Sequence, residues 1–313
     1  MPLPLVIVNP ASAGGATGDA WPGIASELRR HFGPFSCAFT KGSRDAVEIA
    51  RREAVAGRTL IIACGGDGTI SEVANGILQS GADAELGILP SGTGGDFRRT
   101  LKLPARTADA ALALRQGRAR RMDVGRVSFV NGEGAGESRY FLNVASFGMG
   151  GAVIERVKEN SSLPGRSARL LGGKLSFAAA AFQTAITFTK PSVRVQLDGG
   201  LESRLVVANF CVANAQYFGG GMRVAPEAKI NDGLFDVVAI GDLSPLSILT
   251  NSYRVYLGTH LGMSEVRHTR ARKVSAKAAG TDGVKLEVDG ELVGTLPADF
   301  EIIPGALRVR CPS

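Results

Sequence analysis

The sequence predicts an α/β N-terminal domain built on a mostly parallel sheet, followed by a mainly antiparallel β-sandwich domain. Three observations carry this. Short apolar runs alternate with amphipathic segments between Leu3 and Gln116. Glycine-rich turns, GGDGT at 65–69 and SGTGGDF at 91–97, follow two of those runs. From about Arg120 the pattern changes to short strands separated by glycine turns. Strand–helix alternation implies parallel strands covered on both faces, whereas a succession of short strands implies antiparallel pairing.

In order, Leu3–Val8 reads as a first strand, stopped by Asn9-Pro10 and followed by the loop ASAGGATG. A helix over Asp19–His31 and a strand over Phe35–Thr40 come next. Asp45–Ala56 has Val47, Ile49, Ala50 and Ala54 at helical spacing. Leu60–Ile62 is a short apolar run of the kind buried on both faces. Thr69 and Glu72 have the spacing of a capping box, which predicts a helix starting at Thr69 with Ile70, Val73, Ala74 and Ile77 on its buried face. Leu86–Leu89 is a strand and Thr107–Gln116 an alanine-rich helix.

Beyond Met122 the strands are DVGRVSFV, RYFLNVASFG, SVRVQLDG, RLVVANFCVAN, GLFDVVAI and VKLEVDG, with helices around Gly150–Asn160 and Ser167–Phe188. The predicted domains are residues 1–121 and 122–302, with 303–313 returning to the first. No repeat or low-complexity linker separates them.

The chain has 313 residues, of which 44% are hydrophobic, enough for two cores. Its net charge is +7 and its sequence pI ≈ 9.5. The basic residues are scattered in pairs and aromatics make up only 6%, so no basic, aromatic-interleaved surface for nucleic acid is expected. A phosphate-rich substrate or an anionic membrane surface fits better. The four cysteines, Cys37, Cys64, Cys211 and Cys311, have no metal spacing; each reads as a small buried residue in a reducing compartment. His31, His260 and His268 form no motif. No segment has the length of a transmembrane span, and the short N-terminal apolar run lacks the preceding basic residue of a signal peptide.

The chemistry concentrates at GGDGT. A glycine turn between strand and helix lets backbone N–H groups approach an anion, and the helix N-terminus adds partial positive charge. That is a phosphate cradle with the carboxylate of Asp67 set inside it. Thr40, GGDGT and SGTGGDF all fall at the carboxyl ends of predicted parallel strands, where ligands of such sheets bind. The Asp-Gly pairs at Asp289 and Asp232 read, on spacing alone, as turns.

Taken together, GGDGTISEVANGIL, ILPSGTGGDFRR, the DVG at 123–125, APEAKINDGLFDV and LEVDGE resemble the diacylglycerol kinase family, its soluble bacterial lipid kinases most of all. The likeness extends over roughly Leu5–Val309. It implies an N-terminal domain similar to those of NAD kinases and phosphofructokinases, an active site in the cleft between the domains, and ATP and Mg²⁺ as cofactors. By that resemblance Thr40, Gly65, Gly66, Asp67, Gly68, Thr69, Ile70, Ser71 and Thr93 contact ATP, and Asp289 accepts the proton of the substrate hydroxyl. Asp67 and Asp96 organise water and the catalytic metal. Lys229, Asp232 and Leu234 form a structural Mg²⁺ site, partly through main-chain carbonyls. Asn9, Asp123 and Glu291 are second-tier candidates.

Three departures from the family pattern stand out. Gly95 occupies a position where Asn is usual, Ser71 stands where Asn is common, and ASAGGATG lacks a basic residue, so that Arg98, Lys174 or backbone N–H groups are left to meet phosphate charge. The resemblance implies a cytoplasmic enzyme, peripheral at the inner membrane surface, phosphorylating a diacylglycerol-like hydroxyl. A soluble-substrate kinase of the NAD kinase type and an inactive lipid-binding relative stay open, as does a homodimer.

Overall fold

The computed structural model describes residues 3–92, 94–162, 184, 187–280 and 283–312, the side chains of 154, 157–162 and 249 apart. The chain forms two compact units. One contains Met1–Val124, Ile230–Asp232 and Ile303–Ser313; the other contains Gly125–Lys229 and Gly233–Ile302.

In the first unit, strands β1 (Leu5–Val8), β2 (Ser36–Phe39), β3 (Leu60–Gly65) and β4 (Glu85–Pro90) form a parallel sheet in the order β4-β3-β1-β2. The end of the last strand, β15 (Glu291–Cys311), adds to it in parallel through Arg308 and Val309 beside Glu85 and Leu86. Helices α1 (Ala16–His31), α2 (Asp45–Val55), α3 (Asp67–Ser80), α4 (Asp96–Thr100) and α5 (Thr107–Gln116) connect these strands. Val6, Val8, Leu60, Ile62, Cys64 and Leu89 pack with Ile24 and Leu28 of α1 and Ala110, Ala111 and Leu114 of α5. The alternate residues Leu5, Ile7, Ile61 and Ala63, also buried, point to the opposite face, where α2 meets β1 and α3 meets β3.

In the second unit, β5 (Arg118–Asn131, from Gly125), β6 (Gly136–Phe141), β7 (Val144–Gly148), β8 (Ser192–Leu197), β9 (Ser203–Val206), β10 (Asn209–Ala213), β11 (Phe235–Ile240), β12 (Val266–Ala271), β13 (Lys273–Ala278) and β14 (Lys285–Val288) precede β15. One antiparallel run is β12-β11-β10-β7-β14-β15 and another is β9-β8-β13-β15. β15 pairs with β14 as far as Thr295 and with β13 from Ala298, so one strand serves both sheets. Between them lies an aromatic core in which Phe147 stacks on Phe210 at 4.8 Å and Phe141 on Phe235 at 5.6 Å. Gly125 belongs to this core for a steric reason, since a Cβ there would lie 2.1 Å from the Phe141 ring. Helices α6 (Met149–Ser162) and α7 (Pro245–Leu257) and a short 3-10 helix at His260–Gly262 complete the unit's described elements.

Several expectations are corrected. α3 starts at Asp67, not Thr69, with Gly66 as its cap in extended conformation. Thr69 therefore lies inside the helix, buried, and its hydroxyl accepts a hydrogen bond from Asn9 Nδ2 at 3.0 Å, while Glu72 accepts the Arg44 N–H. RYFLNVASFG breaks at residues 142–143 into β6 and β7, and RLVVANFCVAN breaks at 207–208, where both amides bond outside the strand. Cys37 is exposed at the β2 edge; Cys64, Cys211 and Cys311 are buried, and all four are free. α4, α7, β12, β13 and β15 have no counterpart in the sequence reading. The helix expected over Ser167–Phe188 lies outside the described residues except at Thr184, Thr187 and Phe188.

Candidate active site

Because β1 to β4 run parallel, the loops after Val8, Phe39, Gly65 and Pro90 open on one edge of the sheet. The ladder continues one residue past β1, β2 and β4. Thr40 N–H donates to Val8 O, Asn9 N–H to Cys64 O and Ser91 N–H to Gly65 O. The loops are thereby held in register with the strands before any side chain acts.

Ser12 then ties three of them together. Its hydroxyl accepts the Gly66 N–H at 2.9 Å and lies 3.0 Å from Ser91 O, to which it donates. Thr17, at the start of α1, sends its hydroxyl to the same Ser91 carbonyl at 2.9 Å. Asn9 turns its side-chain carbonyl to Ala11 N–H and its amide to Thr69. Gly66 and Gly92 pack backbone on backbone, so that a Cβ on Gly92 would sit 2.6 Å from Gly66 Cα. Gly65 is equally constrained: a Cβ there would meet Thr69 Oγ1 at 2.5 Å. With Gly66 N–H engaged by Ser12, the amides pointing out of the turn are those of the first turn of α3, which have no partner within the helix. Ile70 is buried as part of that helix, and Ser71 is a helical residue whose carbonyl accepts the Asn75 amide.

Asp67 sits at the start of α3 and reaches the third loop. Its two oxygens accept the N–H groups of Asp96 and Phe97, each at 3.2 Å, and Gly94 approaches so closely that a Cβ would lie 2.5 Å from Oδ2. Asp96, almost fully buried, is paired with Arg99 at 3.0 Å. The two carboxylates are thus brought together by a backbone link, with Asp67 capping α4. Gly95 caps the same helix in the left-handed region (φ 68°), the conformation that Gly and Asn tolerate best. Its difference from the usual Asn is therefore conservative for the backbone. Arg98 turns to the carbonyl of Leu103. Thr93 and Lys174 lie outside the described residues.

In the second unit Asp289 and Gly290, both at positive φ (48° and 88°), make the two-residue turn of the β14–β15 hairpin. The turn expected from the Asp-Gly pair is present. Asp289 accepts N–H bonds from Leu142 and Asn143 at 2.9 Å and from Val144 at 3.3 Å, and returns its own N–H to Val144 O. These bonds take up the amides at 142–143, where the strand breaks, and the Asn143 carbonyl accepts the N–H groups of Asn214 and Ala215. Glu291, the next acid, pairs with Arg139 at 2.8 Å.

Sequence reasoning passed over Glu287, two residues before Asp289. It is buried, accepts the Ser146 hydroxyl at 2.8 Å, and lies against Gly150 in the first turn of α6. Burial pushes its carboxyl up from 4.5 to about 7; the Ser146 bond opposes the rise and the Asp289 charge adds to it. Burial likewise raises the neighbouring Cys211 thiol, whose sulfur accepts the Asn209 amide. One signal was available beforehand: an acid inside an apolar strand.

Lys229, Asp232 and Leu234 lie on the segment leading into β11, which turns at residues 230–231 and bends at Asp232 and Gly233 (φ 72°), with Asp232 half-buried. One carboxylate and main-chain carbonyls are hard oxygen donors, a set that suits Mg²⁺ with retained waters. Among the described residues no three His, Cys, Asp or Glu side chains gather as a metal cluster. Asp123 is a tether: nearly fully buried, it accepts Gly305 N–H at 2.8 Å, and its own N–H donates to Ile230 O at 2.7 Å.

Comparison with known proteins identifies the architecture. The fold is shared with a crystal structure of a diacylglycerol kinase from Bacillus anthracis, with a TM-score of 0.70 and 22% identity over 99% of this chain and 96% of that one. It is also shared, more distantly, with yeast NADH kinase in complex with NADH, at a TM-score of 0.52 and 11% identity over 100% of this chain and 83% of that one. Residues 4–127 match the diacylglycerol kinase catalytic domain, and residues 144–311 match the YegS C-terminal NAD kinase beta sandwich-like domain. The chain belongs to the diacylglycerol kinase family. It is 30% identical to a diacylglycerol kinase of Bacillus subtilis, over 86% of this chain and 82% of that protein. It is 33% identical to a Pseudomonas aeruginosa protein named "Probable lipid kinase YegS-like", over 86% of this chain and 82% of that one.

Proposed function

We propose that the chain is an ATP- and Mg²⁺-dependent kinase that phosphorylates a lipid hydroxyl of the diacylglycerol type. The observation that supports this most is the convergence of the Ser12, Gly66 and Gly92 loops on one sheet edge, backed by the names of the family relatives. The first-turn amides of α3 hold phosphate oxygens, and Thr40, Gly65–Ser71 and Thr93 surround the nucleotide. The acceptor oxygen bonds to the γ-phosphorus as the bond to the β–γ bridging oxygen breaks, ADP leaves, and the hydroxyl proton passes to Asp289. Phosphoryl transfer asks for positioning and charge neutralisation more than covalent participation. Asp67 and Asp96 would hold water on a bound Mg²⁺, which would supply neutralisation of developing charge, and Lys229, Asp232 and Leu234 would hold a structural ion. No helix among the described residues is long and apolar enough to cross a membrane, and the net charge of +7 favours an anionic surface. The reaction is accordingly assigned to the cytoplasmic face of a membrane, where ATP and lipid meet.

The test is transfer from labelled ATP to a panel of lipid acceptors and to NAD, with Asp289→Asn alongside. Phosphorylated diacylglycerol and a loss of about 10²-fold or more in the variant, with ATP affinity retained, are expected. Phosphorylated NAD alone, or an active variant, refutes the assignment.

A further inference from the structure

Positive charge is concentrated in one stretch of the chain. Residues 98–121 hold eight basic side chains and one acid, Asp109, a balance of +7 that equals the net charge of the whole protein; the remaining residues carry as many acids as bases. Arg99 is paired with Asp96, and Arg98 turns to Leu103 O. The other six basic residues are exposed. Arg106 and Arg121 reach acids only at 3.9 Å, and Lys102, Arg115, Arg118 and Arg120 make no ion pair among the described residues.

The first unit gathers these cations along α5 and the start of β5. Arg115 stands in the last turn of α5, and Leu112, three residues earlier and so its neighbour on the helix surface, is 40% exposed. The chain then enters β5 beside the end of β15, so close that a Cβ on Gly117 would lie 2.3 Å from Cys311 O. Arg118 and Arg120, two apart on a strand, share a face. Glu85 and Asp83, on and before β4, are already taken up by Arg308 and Arg310. A cation in the last turn of a helix answers the helix dipole, which accounts for Arg115 but not for Arg118 and Arg120 beyond its end.

We propose that the exposed side of α5 and the first residues of β5, carrying Leu112, Arg115, Arg118 and Arg120, dock the protein on an anionic phospholipid bilayer. The choice of partner rests on the lipid-kinase reading; the choice of surface rests on the charge. Unpaired cations around an exposed leucine match a negatively charged interface with an apolar layer beneath it. Nucleic acid fits less well, because residues 98–121 contain no Phe, Tyr or Trp on which bases could stack.

The experiment is co-sedimentation with vesicles of phosphatidylcholine, with and without about 30 mol% phosphatidylglycerol, at low and high salt. Wild type is compared with the triple variant Arg115→Gln, Arg118→Gln, Arg120→Gln. A control triple variant, Arg30→Gln, Arg267→Gln, Arg272→Gln, removes the same charge from exposed arginines elsewhere. Wild type is expected to bind the anionic vesicles alone and to release them at high salt. The first triple variant should lose about 10²-fold in vesicle affinity, near fivefold for each charge, and the control far less. Equal losses in the two triple variants, undiminished binding in the first, or equal binding to neutral vesicles overturns the proposal. So does a single-stranded oligonucleotide that displaces wild type from the vesicles and binds it more tightly. Transfer to short-chain diacylglycerol in neutral detergent micelles, which needs no docking, should be unchanged in the first triple variant; a matching fall there would make the arginines part of turnover and overturn their role as a docking surface. Wild type without micelle activity but with patch-dependent vesicle binding refutes the kinase reading and leaves the surface standing. Should the triple variant fail to fold, Arg118→Gln with Arg120→Gln, outside the helix, decides on the same measurements.

Discussion

At Gly92 the room for a side chain is set by another backbone. The 2.6 Å that would separate a Cβ from Gly66 Cα leaves no flexible atom to move aside. Gly92→Ala must push the third loop off the second, and with it the Ser91 carbonyl that receives Ser12 and Thr17. The expected result is a loss of about tenfold or more in ATP affinity, since a displacement near 1 Å is enough to spoil a preorganised site, with a small change in melting temperature. Calorimetric titration with ATP measures the first and thermal denaturation the second; undiminished affinity would show that the loop contact is incidental to nucleotide binding. Gly95 makes a contrasting case. Its left-handed cap position suits Asn as well as Gly, so Gly95→Asn is compatible with the backbone where Gly92→Ala is not.

At the scale of elements, α2 and α3 cross at Gly76. A Cβ there would lie 2.3 Å from Val47 O and 2.7 Å from Ala50 Cβ. Replacing a helical glycine by alanine ordinarily gains up to about 1 kcal/mol. Overpacking costs about 1–3 kcal/mol or more, and backbone on one side makes the upper end apply. Gly76→Ala is therefore expected to destabilise by about 2 kcal/mol net, read as a lower urea midpoint; a raised midpoint would show that the helices can separate cheaply. The same elements show what sequence made legible. The parallel half was readable because β1, β3 and β4 are buried on both faces and its helices keep one apolar stripe, as in Val47, Ile49, Ala50 and Ala54. The start of α3 was misread because Thr69 and Glu72 mimic a capping box while their side chains serve Asn9 and Arg44. α7 went unseen for a different reason: Leu246, Tyr253 and Leu257 are exposed, so its apolar spacing does not mark the face toward the core. Within the site, GGDGT and SGTGGDF were visible as glycine turns. The Ser12 bridge and the Asp67 cap of α4 were not, because contacts between residues 12, 66, 67, 91 and 96 depend on tertiary register.

Over the whole molecule, buried ionisable groups make stability depend on pH, and two of them pull in opposite directions. His260, buried with Nε2 against Val224 O, is held below its ordinary 6.5 chiefly by burial. Its contribution is present above pH 6.5 and is lost as pH falls through its folded value, because only the unfolded chain takes up the proton readily. Glu287 is the reverse. Its folded pKa is raised from 4.5 to about 7, so its contribution is intact below about pH 4.5 and is lost as pH rises through about 7. Above that range the fold carries an ionised carboxylate that the unfolded chain would solvate better. A shift of this size corresponds to an effect on the order of 3 kcal/mol, and Glu287→Gln removes the charge without removing the hydrogen-bonding partner of Ser146. The variant is therefore expected to melt several degrees above wild type at pH 8, with the advantage shrinking toward pH 5. Melting curves of the two proteins across that range decide it. If Glu287→Gln were instead less stable at pH 8, the Ser146 bond and the N-terminus of α6 would have to outweigh burial. The residue would then be a structural anion rather than a strained one.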